Sequence, residues 1–222
     1  MVHDHLNHDI HKNMRQNQCK VCRRTGEKLF LKGDKCSSPK CPLLKKPYPP
    51  GKSPKKQVIP VLSEYGKELR ESKKIRSIYA IQERQFKNIV KEVIKRMEKE
   101  NASKLLIKKL EKKLYNVIYR VGLAKSRKAA KQLVSHGHFL LNGKRVDIPS
   151  IEVKIGDEIE IREGSKKRDY FKKIMMIKKD QKIPSWLSYD PQKGKIKVVS
   201  EPETEEIERQ IDVPLILSFY SR

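Results

Sequence analysis

The stretch SRKAAKQLVSHGHFLLNGKRVDIPS at residues 126–150 carries the signals of a short helix followed by a β-hairpin. Ser126 is a favourable N-cap, because its side-chain oxygen can accept a hydrogen bond from the first helical turn, and Gly137 is a natural helix end. Asn142 and Gly143 lie between two short apolar runs, which is the typical sequence of a type I′ turn. This stretch therefore predicts the centre of a small unit of mixed helix and strand.

The sequence on either side of this stretch extends the prediction to an α+β fold. Residues 153–161, VKIGDEIEI, predict a turn followed by an alternating strand. Upstream, apolar residues at three- to four-residue spacing predict one helix over 103–121 and another over 63–99. The longer helix has Ser63 as a plausible N-cap and a kink near 72–77.

Basic residues crowd around the predicted helix and hairpin. Six lysines and arginines and no acidic residue lie between positions 125 and 145. The helix N-terminus at Ser126 adds backbone N–H groups that favour phosphate. Arg127 and Lys131 are four residues apart and share a helix face, while Lys144 and Arg145 follow the hairpin turn. A basic edge formed by a helix and a hairpin suits structured RNA, and a basic rim without function is the alternative.

The four cysteines of the chain lie within its first 41 residues, at Cys19, Cys22, Cys36 and Cys41. Two short-spaced pairs separated by a loop are typical of four thiolates arranged around Zn²⁺. We therefore expect one structural zinc ion. Free or oxidisable cysteines, and cysteines that no longer bind metal, are the alternatives. The polar N-terminus does not resemble a signal peptide, so a secreted disulfide framework is not expected.

The overall charge narrows the class of partner. With 52 Lys and Arg against 27 Asp and Glu, the formal net charge is +25. A positive field of this strength favours nucleic acid or an anionic membrane surface. We do not expect a membrane partner, because no apolar run approaches the roughly 20 residues of a spanning helix. The acidic segment EPETEEIERQID at 201–212 is expected to lie away from phosphates.

Two polar features remain open on the sequence alone. Lys87, Lys91, Lys95 and Lys99 recur every four residues, and this stripe is equally compatible with a solvated face or with phosphate contacts. The start of the chain, residues 1–18, contains four histidines and is expected to be a flexible polar tail, with metal binding as the weaker alternative.

The 126–150 stretch closely resembles the RNA-binding module of the small-subunit ribosomal protein four family. Other segments that are similar to this family follow in the same order along the chain: CKVCRRTGEKLFLKGDKC at 19–36, KKPYPPG at 45–51, LSEYGKELRESKKIRSIYAIQERQF at 62–86, IPSWL at 183–187 and FYSR at 219–222. The resemblance therefore runs from Cys19 to Arg222. The cysteine spacing is similar to that of the zinc-bearing bacterial members.

The resemblance implies an α+β fold with a small inserted module. Five parts are expected: a flexible histidine-containing tail (1–18), a four-cysteine zinc module or knuckle with a basic proline-rich connector (19–60), a helical domain (61–111), the α+β RNA-binding module (112–175) and a C-terminal segment (176–222). That segment is expected to pack back onto the helical domain through Trp186, Leu187, Leu215, Leu217, Phe219 and Tyr220.

The resemblance also implies a function without chemistry. It implies a structural constituent of the small ribosomal subunit, which binds ribosomal RNA at a junction in the 5′ domain and nucleates assembly there. Neighbouring small-subunit proteins near the path by which messenger RNA enters, and an influence on translational accuracy, follow from the same likeness. The implied location is the ribosome, in a bacterial cytoplasm in preference to an organelle, with no membrane and no small-molecule substrate.

Charge and resemblance together give the candidate site residues. The expected zinc ligands are Cys19, Cys22, Cys36 and Cys41. The expected RNA-binding residues are Lys45, Lys46, Lys52, Lys55, Lys56, Tyr65, Arg70, Lys73, Lys74, Arg76, Arg84, Lys125, Ser126, Arg127, Lys128, Lys131, Gln132, His136, His138, Asn142, Lys144 and Arg145. Packing or hydrogen-bonding roles are equally compatible with His136 and His138.

Two other classes of protein fit the sequence less well. An RNA-modifying enzyme needs a catalytic acid or nucleophile in a second domain, and no such arrangement stands out. A zinc-dependent DNA-binding regulator needs a recognition helix directly after its metal ligands, where this chain has prolines. We therefore do not expect an enzyme.

Overall fold

The computed structural model describes residues 18–51, 62–96, 101–177, 183–208 and 210–221. Outside these residues lie positions 1–17 of the predicted tail, Lys99, and the greater part of the connector, with Lys52, Lys55 and Lys56. The N-terminal module begins with residues 18–25 (α1), which are helical, and continues with two single turns, α2 (Asp34–Ser37) and α3 (Pro42–Lys45).

The long helix predicted over 63–99 is two helices, α4 (Glu64–Ile78) and α5 (Glu83–Lys95). Ser63 caps α4 as predicted, since its hydroxyl accepts from the Gly66 N–H at 3.2 Å. The break lies after Ile78 and not at 72–77. There Ala80 adopts a left-handed backbone (φ 52°), and the Ile81 N–H donates to the Arg76 carbonyl, which is a helix-ending Schellman pattern usually built on glycine.

The helix predicted over 103–121 is also divided, into α6 (Ala102–Glu111) and α7 (Leu114–Arg120). At the break, Lys113 forms an isolated β-bridge with Glu152, and the Leu114 N–H donates to the Ile151 carbonyl at 2.8 Å. Backbone pairing with Ile151 and Glu152 therefore replaces helical hydrogen bonds between α6 and α7, where the chain passes from the helical region into the module.

The central stretch folds as its sequence predicts. Helix α8 (Arg127–Ser135) starts at Ser126, whose hydroxyl accepts from the Ala129 N–H at 3.2 Å. Strands β1 (Phe139–Leu141) and β2 (Lys144–Val146) pair antiparallel through a turn at Asn142 and Gly143, both with positive φ (49° and 77°). The type I′ prediction is confirmed.

The sheet is larger than the sequence indicates. It has the order β2-β1-β3-β5-β4 and is antiparallel throughout, with β3 at Glu158–Ile161, β4 at Leu187–Asp190 and β5 at Lys195–Val198. Helices α9 (Glu163–Lys166) and α10 (Asp169–Ile177) lie between β3 and β4 in sequence. The module therefore takes two strands from beyond residue 175.

The buried apolar side chains of the described residues form two main cores. One lies between α7, α8, α10 and the sheet, and the other between α4, α5, α6 and α12 (Val213–Ser221), with α11 (Glu205–Glu208) beside it. The C-terminal helix α12 packs on α4 and α5 as expected. The expectation for Trp186 and Leu187 is wrong, because both are buried in the core of the module, where β4 joins the sheet. Among the described residues no helix is long and apolar enough to cross a membrane.

Candidate nucleic-acid interface

The hairpin presents two exposed cations at the edge of the sheet. Lys144 and Arg145 lie on β2, which is an outer strand and pairs only with β1. A Cβ built at Gly137 would lie 2.5 Å from the Arg145 Nε, so the guanidinium lies directly over the Gly137 backbone. A side chain at position 137 would have to displace this guanidinium, and the positive φ of Gly137 (67°) itself favours glycine.

Near the hairpin, two other residues that were predicted to contact RNA, Asn142 and His138, form hydrogen bonds within the protein. The Asn142 Nδ2 donates to Asp157 Oδ1 at 2.8 Å, and its Oδ1 accepts from the Glu158 N–H at 2.8 Å, so its amide ties the turn to β3. His138 is buried, and its Nδ1 lies 2.9 Å from the Ser165 hydroxyl. Burial first, then Arg168, lowers the pKa of His138. His136 and Gln132 remain exposed.

The start of α8 contacts the N-terminal module. Lys125 forms an ion pair with Asp34, and a Cβ on Gly33 would overlap the Lys125 carbonyl oxygen. Burial first, and then the positive charge of Lys32, lowers the pKa of Lys128. The sequence analysis missed Lys32 as a neighbour of α8, since 96 residues separate it from Lys128 and no local pattern links them.

Arg127 and Lys131 are partly buried against the helical region and do not lie on the exposed basic edge of the hairpin. The Arg127 guanidinium lies over the rings of Tyr79 and Tyr119, with centroid distances of 4.7 and 4.5 Å, and its Nε donates to Asn116 Oδ1 at 2.7 Å. The Lys131 ammonium donates to the Ala80 carbonyl at 2.7 Å. Burial first, then neighbouring lysines, lowers the pKa of Lys131 to about 8. Both side chains join the module to the helical region.

The contact between the module and the helical region, which we call the protein junction, is centred on the buried carboxylate of Glu111. No local sequence pattern indicates this residue. Glu111, at the end of α6, accepts from Arg120 Nε at 2.8 Å and Nη2 at 2.9 Å, and from the Tyr79 hydroxyl at 2.6 Å. Asn116 Nδ2 donates to the same carboxylate at 3.0 Å. Burial acts to raise the pKa of Glu111, but Arg120, Arg127 and Tyr79 outweigh it, and the pKa is lowered.

The cations predicted on α4 and α5 fall into two groups. Arg70 donates to the Thr25 carbonyl, Arg76 pairs with Glu83, and Lys74 is buried with its ammonium 2.6 Å from Glu27. These three side chains attach the helix to its surroundings. The predicted residues that are exposed in this part of the chain are Lys45, Lys46, Tyr65, Lys73 and Arg84.

The four cysteines converge from three segments: Cys19 and Cys22 lie on α1, Cys36 lies on α2, and Cys41 caps α3. Cys22, Cys36 and Cys41 are buried, Cys19 is half-buried, and all four line one small cavity. The Lys32 N–H donates to Cys36 Sγ at 3.3 Å. Burial raises the pKa of Cys22, and the other three thiols act in the same direction. The donor set fits Zn²⁺ in kind, although no group of three or more side chains meets metal-site geometry in the described part of the chain.

Comparison with known proteins adds the family context. The family pattern described as "Ribosomal protein S4/S9 N-terminal domain" matches residues 13–111, and the "S4 domain" pattern matches residues 112–159. The chain is 42% identical over 204 residues to a Thermus thermophilus protein named small ribosomal subunit protein uS4. Proteins with the same name from Syntrophomonas wolfei and Clostridioides difficile are 43% and 44% identical. Each match covers 92% of this chain and 96% of the relative.

Proposed function

This chain belongs to the small-subunit ribosomal protein S4 family, whose members are structural RNA-binding proteins and not enzymes, and we propose that it nucleates folding of the 5′ domain of small-subunit ribosomal RNA. The proposal is carried by one observation. Cations from three segments that are far apart in sequence, Arg24 on α1, Arg70 and Lys73 on α4, and Lys128 on α8, line one cleft.

A cationic surface assembled from distant segments favours a folded RNA over a single strand. Each segment can neutralise phosphates of a different RNA helix, and the cost of bringing those helices together is then offset by released counterions. The junction at Glu111, Arg120 and Arg127 supports this proposal, because it fixes the module against the helical region before RNA arrives. A junction of several RNA helices is the target that such a rigid cationic surface would select.

The expected RNA contacts follow from exposure. We propose that nine exposed residues of the predicted set, together with the half-buried Lys128, make the direct contacts. Predicted residues whose side chains bond within the protein, among them the exposed Lys125 and Asn142, act through the fold. The proposed contact residues are Lys45, Lys46, Tyr65, Lys73, Arg84, Lys128, Gln132, His136, Lys144 and Arg145. By family likeness, neighbouring small-subunit proteins and an influence on translational accuracy belong to the same proposal.

The test of this function is affinity for the isolated 5′ domain of small-subunit ribosomal RNA across a salt series. We expect tight binding that survives competition by transfer RNA and duplex DNA, because only the junction matches the surface geometry. Replacing Lys144 and Arg145 together with glutamine should weaken binding about ten-fold or more at moderate salt and lower the salt slope by about two, which is one unit for each lost phosphate contact.

The control for that pair is the double substitution Lys91→Gln and Lys95→Gln on α5, two exposed lysines of the stripe, for which we adopt the solvated-face alternative. If the control weakens binding as much as the hairpin variant, the effect is one of net charge and the proposed surface is wrong. Equal affinity of the unmodified protein for ribosomal RNA, transfer RNA and DNA would contradict the proposed function itself.

We also propose that Cys19, Cys22, Cys36 and Cys41 bind one structural Zn²⁺. The support is their convergence on one cavity and the absence of a disulfide among them. When bound, the metal would link α1 to the turns at α2 and α3 and add to the small apolar core that Leu29 and Leu31 form in this module.

The zinc proposal predicts one metal ion per chain. We expect elemental analysis of protein purified without chelator to give about one zinc per chain, and the Cys36→Ser, Cys41→Ser variant to give none. Stripping the metal should expose the lysines of the N-terminal module to trypsin while the sheet module stays resistant. Ser38→Ala, next to the ligands, is the control. A metal-free protein whose digestion is unaffected by added zinc would refute the proposal.

A further inference from the structure

A cleft of about 920 Å³ opens between α1, α4, the turn after α4 and the start of α8. Its apolar lining comes from Val21, Leu31, Leu62, Leu69 and Ile81. Leu62 is 39% exposed, and Val21 and Leu69 are half-buried, so this part of the lining is open to solvent, whereas Leu31 and Ile81 are buried. An apolar cleft of this volume is within the range of ligand-binding sites in proteins.

The rim of the same cleft is cationic. Arg24 and Lys73 are exposed, and the half-buried Lys128 lines the cleft from α8. Among the lining residues, all of them in the described parts of the chain, Glu83 is the one acid, and it pairs with Arg76. The rim therefore has an excess of positive charge that a polyanion can balance.

Two of the arginines that line the cleft, Arg70 and Arg76, are held by hydrogen bonds to backbone carbonyls. Arg70 is held by the Thr25 carbonyl, and the Arg76 Nε donates to the Ser72 carbonyl at 3.2 Å. Guanidinium groups fixed in this way lose little entropy when a ligand packs on them. Planar guanidinium groups and apolar side chains are both surfaces on which unpaired RNA bases stack.

From this combination, and resting on the proposed function, we propose that the cleft receives one unpaired nucleotide of the bound ribosomal RNA. The base packs on the apolar lining, and its flanking phosphates lie against Arg24, Lys73 and Lys128. Charge selects this occupant, because an apolar cleft with a cationic rim matches a neutral base carried between two phosphates. The cleft would then distinguish RNA junctions that have an unpaired base at this position from those that do not.

The experiment blocks the cleft without removing charge. Ser77→Trp fills it from its half-buried edge, and Leu69→Gln makes its lining polar. We expect each variant to lose about ten-fold in affinity for the 5′ domain RNA, with a smaller change of salt slope than a charge substitution gives, because every rim cation is retained. Lys73→Gln should instead lower the slope by about one. The matched control is Ile155→Gln, an exposed apolar residue on the sheet module.

Crosslinking identifies the occupant. With thiouridine at the unpaired positions of the RNA, we expect ultraviolet light to join one nucleotide to a peptide from 62–83 or 18–31, and the Ser77→Trp variant to lose that crosslink. Thermal melting of each variant checks that it is folded. Failure of the unmodified protein to prefer ribosomal RNA would sink the proposed function. Normal specificity with unaffected cleft variants, or a photoreactive residue at position 77 that captures a protein segment instead of RNA, would overturn the cleft proposal alone.

Discussion

Replacing Glu111 by alanine is expected to lower the free energy of unfolding by about 3 kcal/mol, the largest effect we expect from a single substitution in this chain. Glu111 is 1% exposed and neutralises Arg120 through two hydrogen bonds of 2.8 and 2.9 Å. Removing the carboxylate takes away both of its hydrogen bonds with the partly buried Arg120 guanidinium and leaves the buried Tyr79 hydroxyl without its acceptor. Denaturant unfolding of the full chain measures the loss.

An exposed ion pair provides the control for this substitution. Glu64 pairs with Lys67 at 2.7 Å, but their side chains are 74% and 50% exposed. Glu64→Ala should therefore change the stability by no more than about 0.5 kcal/mol. A loss at Glu111 as small as that at Glu64 would mean that the buried network does not stabilise the junction.

The same carboxylate makes the junction sensitive to acid. Because the folded pKa of Glu111 lies below its ordinary value of 4.5, its contribution to stability is fully present above that pH. The contribution is lost as the pH falls through the folded pKa, when the carboxylate takes up a proton. Glu111→Gln removes this titration, so its deficit relative to the unmodified protein should shrink as the pH is lowered. A deficit that stays constant would contradict the assignment.

Features governed by neighbouring residues could be predicted from the sequence. The type I′ turn at Asn142 and Gly143, and the caps at Ser63 and Ser126, depend on the local backbone and on one side chain each. The structure therefore agrees with the prediction at these positions. Helix type and approximate position followed from apolar spacing for the same reason.

Features governed by distant residues could not be predicted. The break after α6 requires pairing of Lys113 with Glu152, and the break after α4 places an alanine where a glycine would be the usual signal. Strands β4 and β5 join the sheet only because β3 offers a free edge to Lys195–Val198. Each of these depends on a contact that no short window of sequence contains.

The sequence could predict that basic residues form the candidate site, but not which of them face solvent. Clustering of basic residues indicates the region around α8, yet charge alone cannot separate a cation that faces solvent from one that packs on tyrosines. Lys144 remains exposed, whereas Arg127 lies between two aromatic rings. What distinguishes them is the position of Tyr79, which is 48 residues from Arg127 in sequence and comes from the helical region.

We therefore expect a substitution of Arg127 to lower the stability of the protein, and a substitution of a hairpin cation to leave it almost unchanged. Arg127→Ala should lower the free energy of unfolding by about 2–3 kcal/mol, because it removes two cation–π contacts and leaves the buried Asn116 amide oxygen without its donor. Arg127→Lys should recover little of this, since an ammonium group has neither the planar face nor the fork of donors. Lys144→Gln should leave the stability within about 0.5 kcal/mol of the unmodified protein.

RNA binding separates a positioning role for Arg127 from direct contact. If Arg127 acts by fixing the module against the helical region, Arg127→Ala should weaken binding to the 5′ domain RNA while the salt slope stays unchanged, because every phosphate contact is still available. Lys144→Gln should do the reverse, lowering the slope by about one without loss of stability. A slope that falls in Arg127→Ala as it does in Lys144→Gln would place Arg127 on the RNA and require the junction to open when RNA binds.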